Sequence, residues 1–244
     1  MIPKTIHYCW FSGDKKPRSI QRCIDSWKKI MPDYKIRCWD GSSIVLDSIP
    51  FVREAMSVGQ YAAASDYVRL YALYSEGGIY LDSDVETFKS FDCFLENSFF
   101  SGTETFYAEG NKHFRIEAAI MGSIPNHPFL KECMSYYEHN HFIKPNGEYD
   151  NKKVVMPIVI SRYAEKYGYK YLNIKQNLTD NITVYPTDFF TNTLDKTTIN
   201  INSIYALHRN AAGWMDFSGR GLLFQFCRKN DLMNIYHWLE KIRK

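Results

Sequence analysis

Residues 61–86, YAAASDYVRLYALYSEGGIYLDSDVE, constrain the fold more than any other stretch of the chain. Alanines and apolar residues recurring at three- and four-residue intervals predict a helix, and Gly77-Gly78 supplies its stop. The same periodicity reaches back to Phe51, so 51–76 is the longest helical region expected. IYLDSDVE then reads as a strand that ends in two acids, Asp82 and Asp84. Acids at the carboxyl end of a buried strand in an α/β protein stand where ligands bind, not in the core.

The flanking patterns agree with that class. TIHYCWF reads as a short buried strand, and residues 19–31 space Ile20, Cys23, Ile24, Trp27 and Ile30 at helical intervals. Pro32-Asp33 stops that helix, and YKIRCW alternates as a second strand before Asp40-Gly41 turns the chain. Strand, helix and strand in this order form a βαβ unit and predict a mostly parallel sheet with helices on its faces. Further on, EAAIMGSIPNHPFL reads as strand, turn and helix. The pattern weakens over 140–202, and a C-terminal helix is expected over 225–244. No repeat or linker interrupts the chain, so 1–244 is expected to form a single domain.

Composition excludes several classes. Thirty basic against twenty-seven acidic side chains give a formal charge of +3, too little for a nucleic-acid partner. Six scattered cysteines without a CxxC pair suggest neither a zinc site nor a disulfide framework, which fits a reducing, cytoplasmic setting. The opening MIPKTIHYCWFSG lacks the pattern of a signal peptide, and no apolar run is long enough to span a bilayer. The basic ending FCRKNDLMNIYHWLEKIRK is compatible with peripheral contact at the inner face of a membrane, although a solvated helix face is the commoner outcome.

In an extended strand, residues i and i+2 point to one side, so Asp82 and Asp84 are expected to face one spot. Two carboxylates that close repel unless a cation lies between or near them. Mg²⁺ or Mn²⁺ takes carboxylate oxygens and commonly bridges them to a diphosphate, which makes a metal–diphosphate anchor the simplest reading. A solvated surface turn is the bland alternative. An EF-hand is disfavoured because Thr87 stands where its glycine belongs. YLDSDV also fits the DxDx[TV] strand end of aspartyl-phosphate phosphatases locally, but that motif belongs on a first strand and no later acidic pair is obvious. On the preceding helix, Asp66 and Arg69 at i and i+3 share a face. In isolation they read as an intrahelical ion pair; beside the DxD strand they read as aimed, Asp66 at a sugar hydroxyl and Arg69 at a sugar or phosphate oxygen.

SDYVRLYALYSEGGIYLDSDVE resembles the signature of the DxD sugar transferases that include the yeast initiating α-1,6-mannosyltransferase, α-1,4-galactosyltransferases and bacterial capsular polysaccharide transferases, and more distantly the clostridial glucosylating toxins. Ser65, Asp66, Arg69, Gly77, Gly78, Tyr80, Asp82 and Asp84 carry the match. IPKTIHYCWFSG is similar to that family's first strand, and YALHRNAAGW to its closing His…Trp element, with Gly213 where the family often has Ser. The resemblance implies a GT-A fold, a nucleotide-sugar donor (UDP-sugar favoured, GDP-sugar an option), Mn²⁺ or Mg²⁺, a glycan acceptor and retention of anomeric configuration. By the same resemblance Trp10 stacks on the nucleobase, and Asp66 and Arg69 hold donor groups. Asp82 touches ribose, sugar or metal, Asp84 and His208 bind metal, and Trp214 covers the diphosphate. Glu117, at the start of a predicted strand, is a candidate to reach the donor sugar or acceptor hydroxyl, with a solvated strand-end acid as the alternative. His139 and His141 are read as surface, and 140–202 as the acceptor side.

The resulting expectation is a metal-dependent retaining transferase of bacterial surface polysaccharide synthesis, working by front-face attack on an acceptor that is a candidate to be lipid-linked. A phosphatase and a non-catalytic carbohydrate-binding module are the rivals.

Overall fold

Gly77 and Gly78 show why a helix can run so abruptly into a strand. Both have positive φ (66° and 106°). A Cβ on Gly77 would stand 2.7 Å from the Pro125 ring, and one on Gly78 would stand 2.6 Å from the Thr5 carbonyl oxygen. Only glycine lets the chain turn there and still bring its backbone against the neighbouring strand. The Gly77 carbonyl accepts from His7 Nε2 at 2.8 Å, while His7 Nδ1 accepts from Trp39 Nε1 at 3.0 Å. These partners fix His7 as a neutral ring, and burial holds its pKa below the ordinary value.

The computed structural model describes residues 1–42, 48–149, 155–192 and 202–210. Strands β1 (Thr5–Cys9), β2 (Lys35–Trp39) and β3 (Gly78–Leu81) come from the first third of the chain. They join β5 (Phe99–Ala108), β6 (Asn111–Ser123), β7 (Gln176–Asn177) and β8 (Ile182–Tyr185) in a seven-stranded sheet of order β2-β1-β3-β6-β5-β8-β7. A second sheet runs β4 (Val85–Thr87), β10 (Ala206–His208), β9 (Phe190–Asn192). The helices are α1 (Arg18–Ile30), α2 (Pro50–Ser57), α3 (Tyr61–Glu76), α4 (Pro128–Glu138) and α5 (Met156–Ala164).

Alternation along the strands divides the core between the two faces of the large sheet. Tyr80, Phe99, Met121, Ile182 and Val184 pack with residues of α2, α3, α4 and α5. Ile79, Leu81, Phe100 and Ile120 pack with α1 and with Val85, Phe190 and Ala206 of the small sheet. All four residues of β3 are buried, as a central strand covered on both faces requires.

Three expectations change in detail. The parallel arrangement holds for β2-β1-β3 and for β5-β8, but β6 runs antiparallel to both β3 and β5, so the sheet is mixed. The helical region 51–76 is two helices, because Gly59 at φ 71° breaks the register between α2 and α3. IYLDSDVE is two strands in two different sheets, β3 and β4, joined by a turn in which Val85 N–H donates to the Asp82 carbonyl at 2.9 Å. The acids therefore sit on the bend between the sheets. The expected helix at 225–244 lies outside the described residues.

Candidate active site

A β-bulge builds the floor of the site. Strands β5 and β6 pair Ser101 with Met121 and then Thr103 with Ile116, so residues 117–120 of β6 are surplus to the ladder. Ser101 Oγ stitches the distortion, donating to the carbonyls of Glu117 (2.6 Å) and Ile120 (2.9 Å). Ala118, left without a β5 partner, accepts from Arg69 Nη1 at 2.7 Å, while Ala119 continues the β3–β6 pairing and accepts from Asp82 N–H at 2.9 Å. Bulges re-aim groups in this way beside functional sites.

Arg69 is the hub above that floor. It is 5% exposed, and its guanidinium reaches Asp82 Oδ1 and Oδ2 at 3.3 Å each and Asp66 Oδ1 at 3.1 Å. Its remaining donors go to Ser65, with Nε on the carbonyl at 3.2 Å and Nη2 on Oγ at 2.9 Å. The ring of Tyr80 lies 4.8 Å from the guanidinium carbon, and its hydroxyl donates to Asp82 Oδ1 at 2.9 Å. Burial works against the Arg69 charge, but Asp82, Tyr80 and Asp66 outweigh it and raise the pKa well above its ordinary value. Burial pushes Asp66 up to about 6, with Arg69 pulling it down and Asp82 pushing it further up. Ser-Asp-x-x-Arg on α3 and Tyr-x-Asp on β3 are thus two halves of one hydrogen-bonded network.

The second acid faces a different partner. Strand β10 pairs antiparallel with β4, placing His208 opposite Val85. His208 Nε2 lies 3.6 Å from Asp84 Oδ1, and Nδ1 lies 2.9 Å from Glu117 Oε1. Atoms of Asp82, Asp84 and His208 lie within 4.8 Å of one another. Two carboxylate oxygens and an imidazole nitrogen form a donor set that suits Mg²⁺ or Mn²⁺. Glu117 is 1% exposed and also accepts from Ala119 N–H at 3.3 Å. Burial alone would lower the His208 pKa, yet Asp84 and Glu117 raise it to about 10. A carboxylate behind a histidine whose far nitrogen faces acidic ligands is the usual outer shell of a metal-binding imidazole.

The structure brings Asp66, Arg69, Asp82, Asp84, Glu117 and His208 together. Arg69 touches Ser65, Asp66, Asp82 and Ala118, so in the structure it organises the acids. Glu117 is buried and touches His208 on the side of Nδ1, away from Asp84. Trp10 leaves the carboxyl end of β1, the parallel neighbour of β3, and so emerges at the same sheet edge as Asp82. It is half-buried, donates Nε1 to the Asp14 carbonyl at 2.8 Å, and has Lys16 Nζ 5.3 Å from its ring. Trp214 lies outside the described residues. His139 and His141 are exposed and bond to Ser135 and Glu54, away from the DxD turn. Sequence reasoning missed the carbonyls of Ala118 and Ala119 and the buried acid Glu104, which burial and Glu117 push up to about 7. The bulge that frees the Ala118 carbonyl has no marker in the sequence.

Residues 17–101 match the family described as the glycosyltransferase sugar-binding region containing a DXD motif. That segment is a DXD glycosyltransferase region. It runs from the entry to α1, through the Arg69 helix and the DxD turn, into β5. Over 153 residues the chain is 31% identical to an uncharacterised glycosyltransferase, L373, of Acanthamoeba polyphaga mimivirus, covering 60% of this chain and 58% of that protein. Over 140 residues it is 29% identical to inositol phosphoceramide mannosyltransferase 3 of Schizosaccharomyces pombe, covering 54% of this chain and 36% of the relative. The chain therefore spans little more than half of one relative's length and about a third of the other's. Among solved structures, the PaToxG glycosyltransferase superposes with a TM-score of 0.50 at 22% identity, over 68% of this chain and 69% of that one. The architecture around the DXD region is the GT-A fold.

Proposed function

We propose that the protein is a metal-dependent, retaining glycosyltransferase that moves a sugar from a nucleotide-sugar donor to a glycan or glycolipid acceptor. The convergence of Asp82, Asp84 and His208 on one point, with Arg69 and Glu117 buried behind them, carries this reading. A divalent cation held by those three side chains would neutralise charge gathering on the leaving diphosphate as the anomeric bond breaks. Arg69 and Tyr80 fix the Asp82 carboxylate before any ligand arrives, and Glu117 fixes the orientation of His208. Asp66, beside them, faces the ribose or sugar. Glu117 is buried and touches His208 on the side away from Asp84, which supports front-face transfer without a protein nucleophile. The commitment of Asp82 to Arg69 and Tyr80 disfavours its use as a phosphatase nucleophile.

A cleft of about 240 Å³ between α5 and the β5–β6 hairpin is lined in part by Phe106, Arg115, Arg162 and Tyr171, and it supports an acceptor side within 140–202. The mannosyltransferase name of the Schizosaccharomyces pombe relative makes a mannose-bearing nucleotide sugar the first donor to try, followed by other UDP- and GDP-hexoses, with polymer synthesis at a bacterial surface as one biological setting. The test is a thermal-shift screen of these donors with and without Mn²⁺. One donor at about 100 times its Kd should stabilise the protein by roughly 2.7 kcal/mol, and only with the metal present. Failure of every nucleotide sugar to shift the transition would remove the reading.

The Glu117–His208 pair makes a separate prediction. Glu117→Ala should weaken Mn²⁺ binding about 10- to 100-fold by calorimetry, whereas Glu117→Gln, which can still accept from Nδ1–H, should weaken it less. In the wild type, His208 must lose a proton held with a pKa near 10 before Nε2 can bind a metal. Apparent affinity should therefore rise with pH by up to about tenfold per unit between neutrality and that value.

A further inference from the structure

Residues 162–175, RYAEKYGYKYLNIK, lead from the end of α5 toward β7 and present two kinds of side chain to solvent. Tyr171 is 47% exposed, Leu172 48% and Ile174 55%. Among the described residues the other large exposed hydrophobic side chains stand singly, apart from the pair Val58 and Tyr61 at 36% and 39%, whereas these three, each more exposed than that pair, fall within four residues. Isolated apolar residues at a surface need no explanation, but a cluster does.

The cluster does not come from a loosely held loop. Gln176 closes it from inside, accepting from Lys170 N–H at 2.9 Å and donating to the carbonyls of Lys170 (2.8 Å) and Leu172 (3.2 Å). Asn173 ties the tip to Thr187 with two further bonds of 2.9 Å. The polar side chains of the loop are thus spent on its own backbone and its neighbour, and the apolar ones are left pointing outward. The flanking charge has one dominant sign. Arg162, Lys166, Lys170 and Lys175 flank the tip in sequence, against Glu165, whose carboxylate accepts the Tyr171 hydroxyl at 2.6 Å. Lys166 pairs with Glu132, while Arg162 and Lys170 have no ion pair among the described residues.

We propose that this loop is a membrane-docking element, with Leu172 and Ile174 entering the interfacial zone of an anionic bilayer, Tyr171 at its boundary, and the flanking cations on lipid phosphates. Aliphatic tips with an aromatic collar and a basic rim are the composition that anionic interfaces select. Tyr171 and Arg162 also line the cleft described above, so docking here would turn the mouth of that cleft toward the lipid head groups.

Co-sedimentation with vesicles tests the assignment without donor or acceptor, so its failure leaves the transferase reading standing. The protein should bind phosphatidylcholine–phosphatidylglycerol vesicles, bind phosphatidylcholine alone far less, and release with added salt. Lys170→Gln should lower the partition about fivefold, the effect of one cation at such a surface. Leu172→Asp with Ile174→Asp should lower it more than tenfold with an unchanged thermal transition, since both side chains are exposed. Wild-type protein that stays in the supernatant overturns the proposal, and so does a dimer in solution that the double substitution dissolves without any vesicle binding. A double variant that sediments like the wild type overturns it as well, and transfers the binding to another surface such as the basic residues of 241–244.

Discussion

Arg69→Met should cost about 3–5 kcal/mol of folding stability, the usual penalty for removing one member of a buried ion pair. Methionine nearly matches the arginine stem in length, so the loss would not come from a large cavity. It comes from what remains: the carboxylates of Asp66 and Asp82 face each other without a cation, and the carbonyls of Ser65 and Ala118 lose a donor. In a chain of this size the transition should fall by roughly 6–20 °C. Arg69→Lys should recover only part of this, because an ammonium with three donors cannot span acceptors on four residues arranged around a planar fork. The pH dependence separates this cause from poor packing. Asp66 already has its folded pKa raised to about 6, above the unfolded value, so the native state holds the extra proton. Its contribution is present at low pH and is lost as pH rises through about 6. Without Arg69 that pKa moves higher, so the gap between variant and wild type should narrow between pH 7 and pH 5. Urea unfolding at the two pH values measures it. A loss below about 1 kcal/mol, or a gap that does not change with pH, would show that the network carries little.

The sequence revealed the parts of this network and hid how they are joined. Periodicity found α1 and α3, the Gly-Gly break announced β3, and the acids stood out because a buried strand rarely ends in two of them. These are local signals, each written within one element. The bend at Ser83 was not legible, because residues 79–86 carry a continuous strand pattern whose change of sheet depends on α1: Trp27 Nε1 donates to the Val85 carbonyl at 2.7 Å, and Ser26 Oγ accepts from Thr87 N–H at 3.0 Å. The role of Glu117 was not legible either. Its place behind His208 comes from a bulge in β6 and from a strand 91 residues further along the chain. How Arg69 is held was not legible, because Arg at i+3 from Asp on a helix face is equally what a donor site and a structural hub would use. Its burial among those partners is a property of the whole fold.

Asp84→Asn tests the other half of the site, where the larger expected effect is on chemistry. Asp84 lies on the bend and faces His208 across 3.6 Å, apart from the Arg69 network that holds Asp82. Asparagine keeps the shape of the side chain and one acceptor oxygen while removing a unit of charge from the donor set. Turnover of the preferred nucleotide sugar with Mn²⁺ should fall at least about 10³-fold, equivalent to roughly 4 kcal/mol of lost transition-state stabilisation. The metal-free variant should lose the stability that Asp84 lends by holding the His208 proton, and the Mn²⁺-dependent shift should vanish. His208 should also become easier to deprotonate, since Asp84 is the strongest of the charges raising its pKa. Asp82→Asn acts through the Arg69 network instead, because it strips a partner from Arg69 and Tyr80 and should lose stability and turnover together. If Asp84→Asn keeps turnover within tenfold of the wild type, or keeps the Mn²⁺ shift, the second acid is not a metal ligand, and the charge that develops on the leaving group must be met elsewhere.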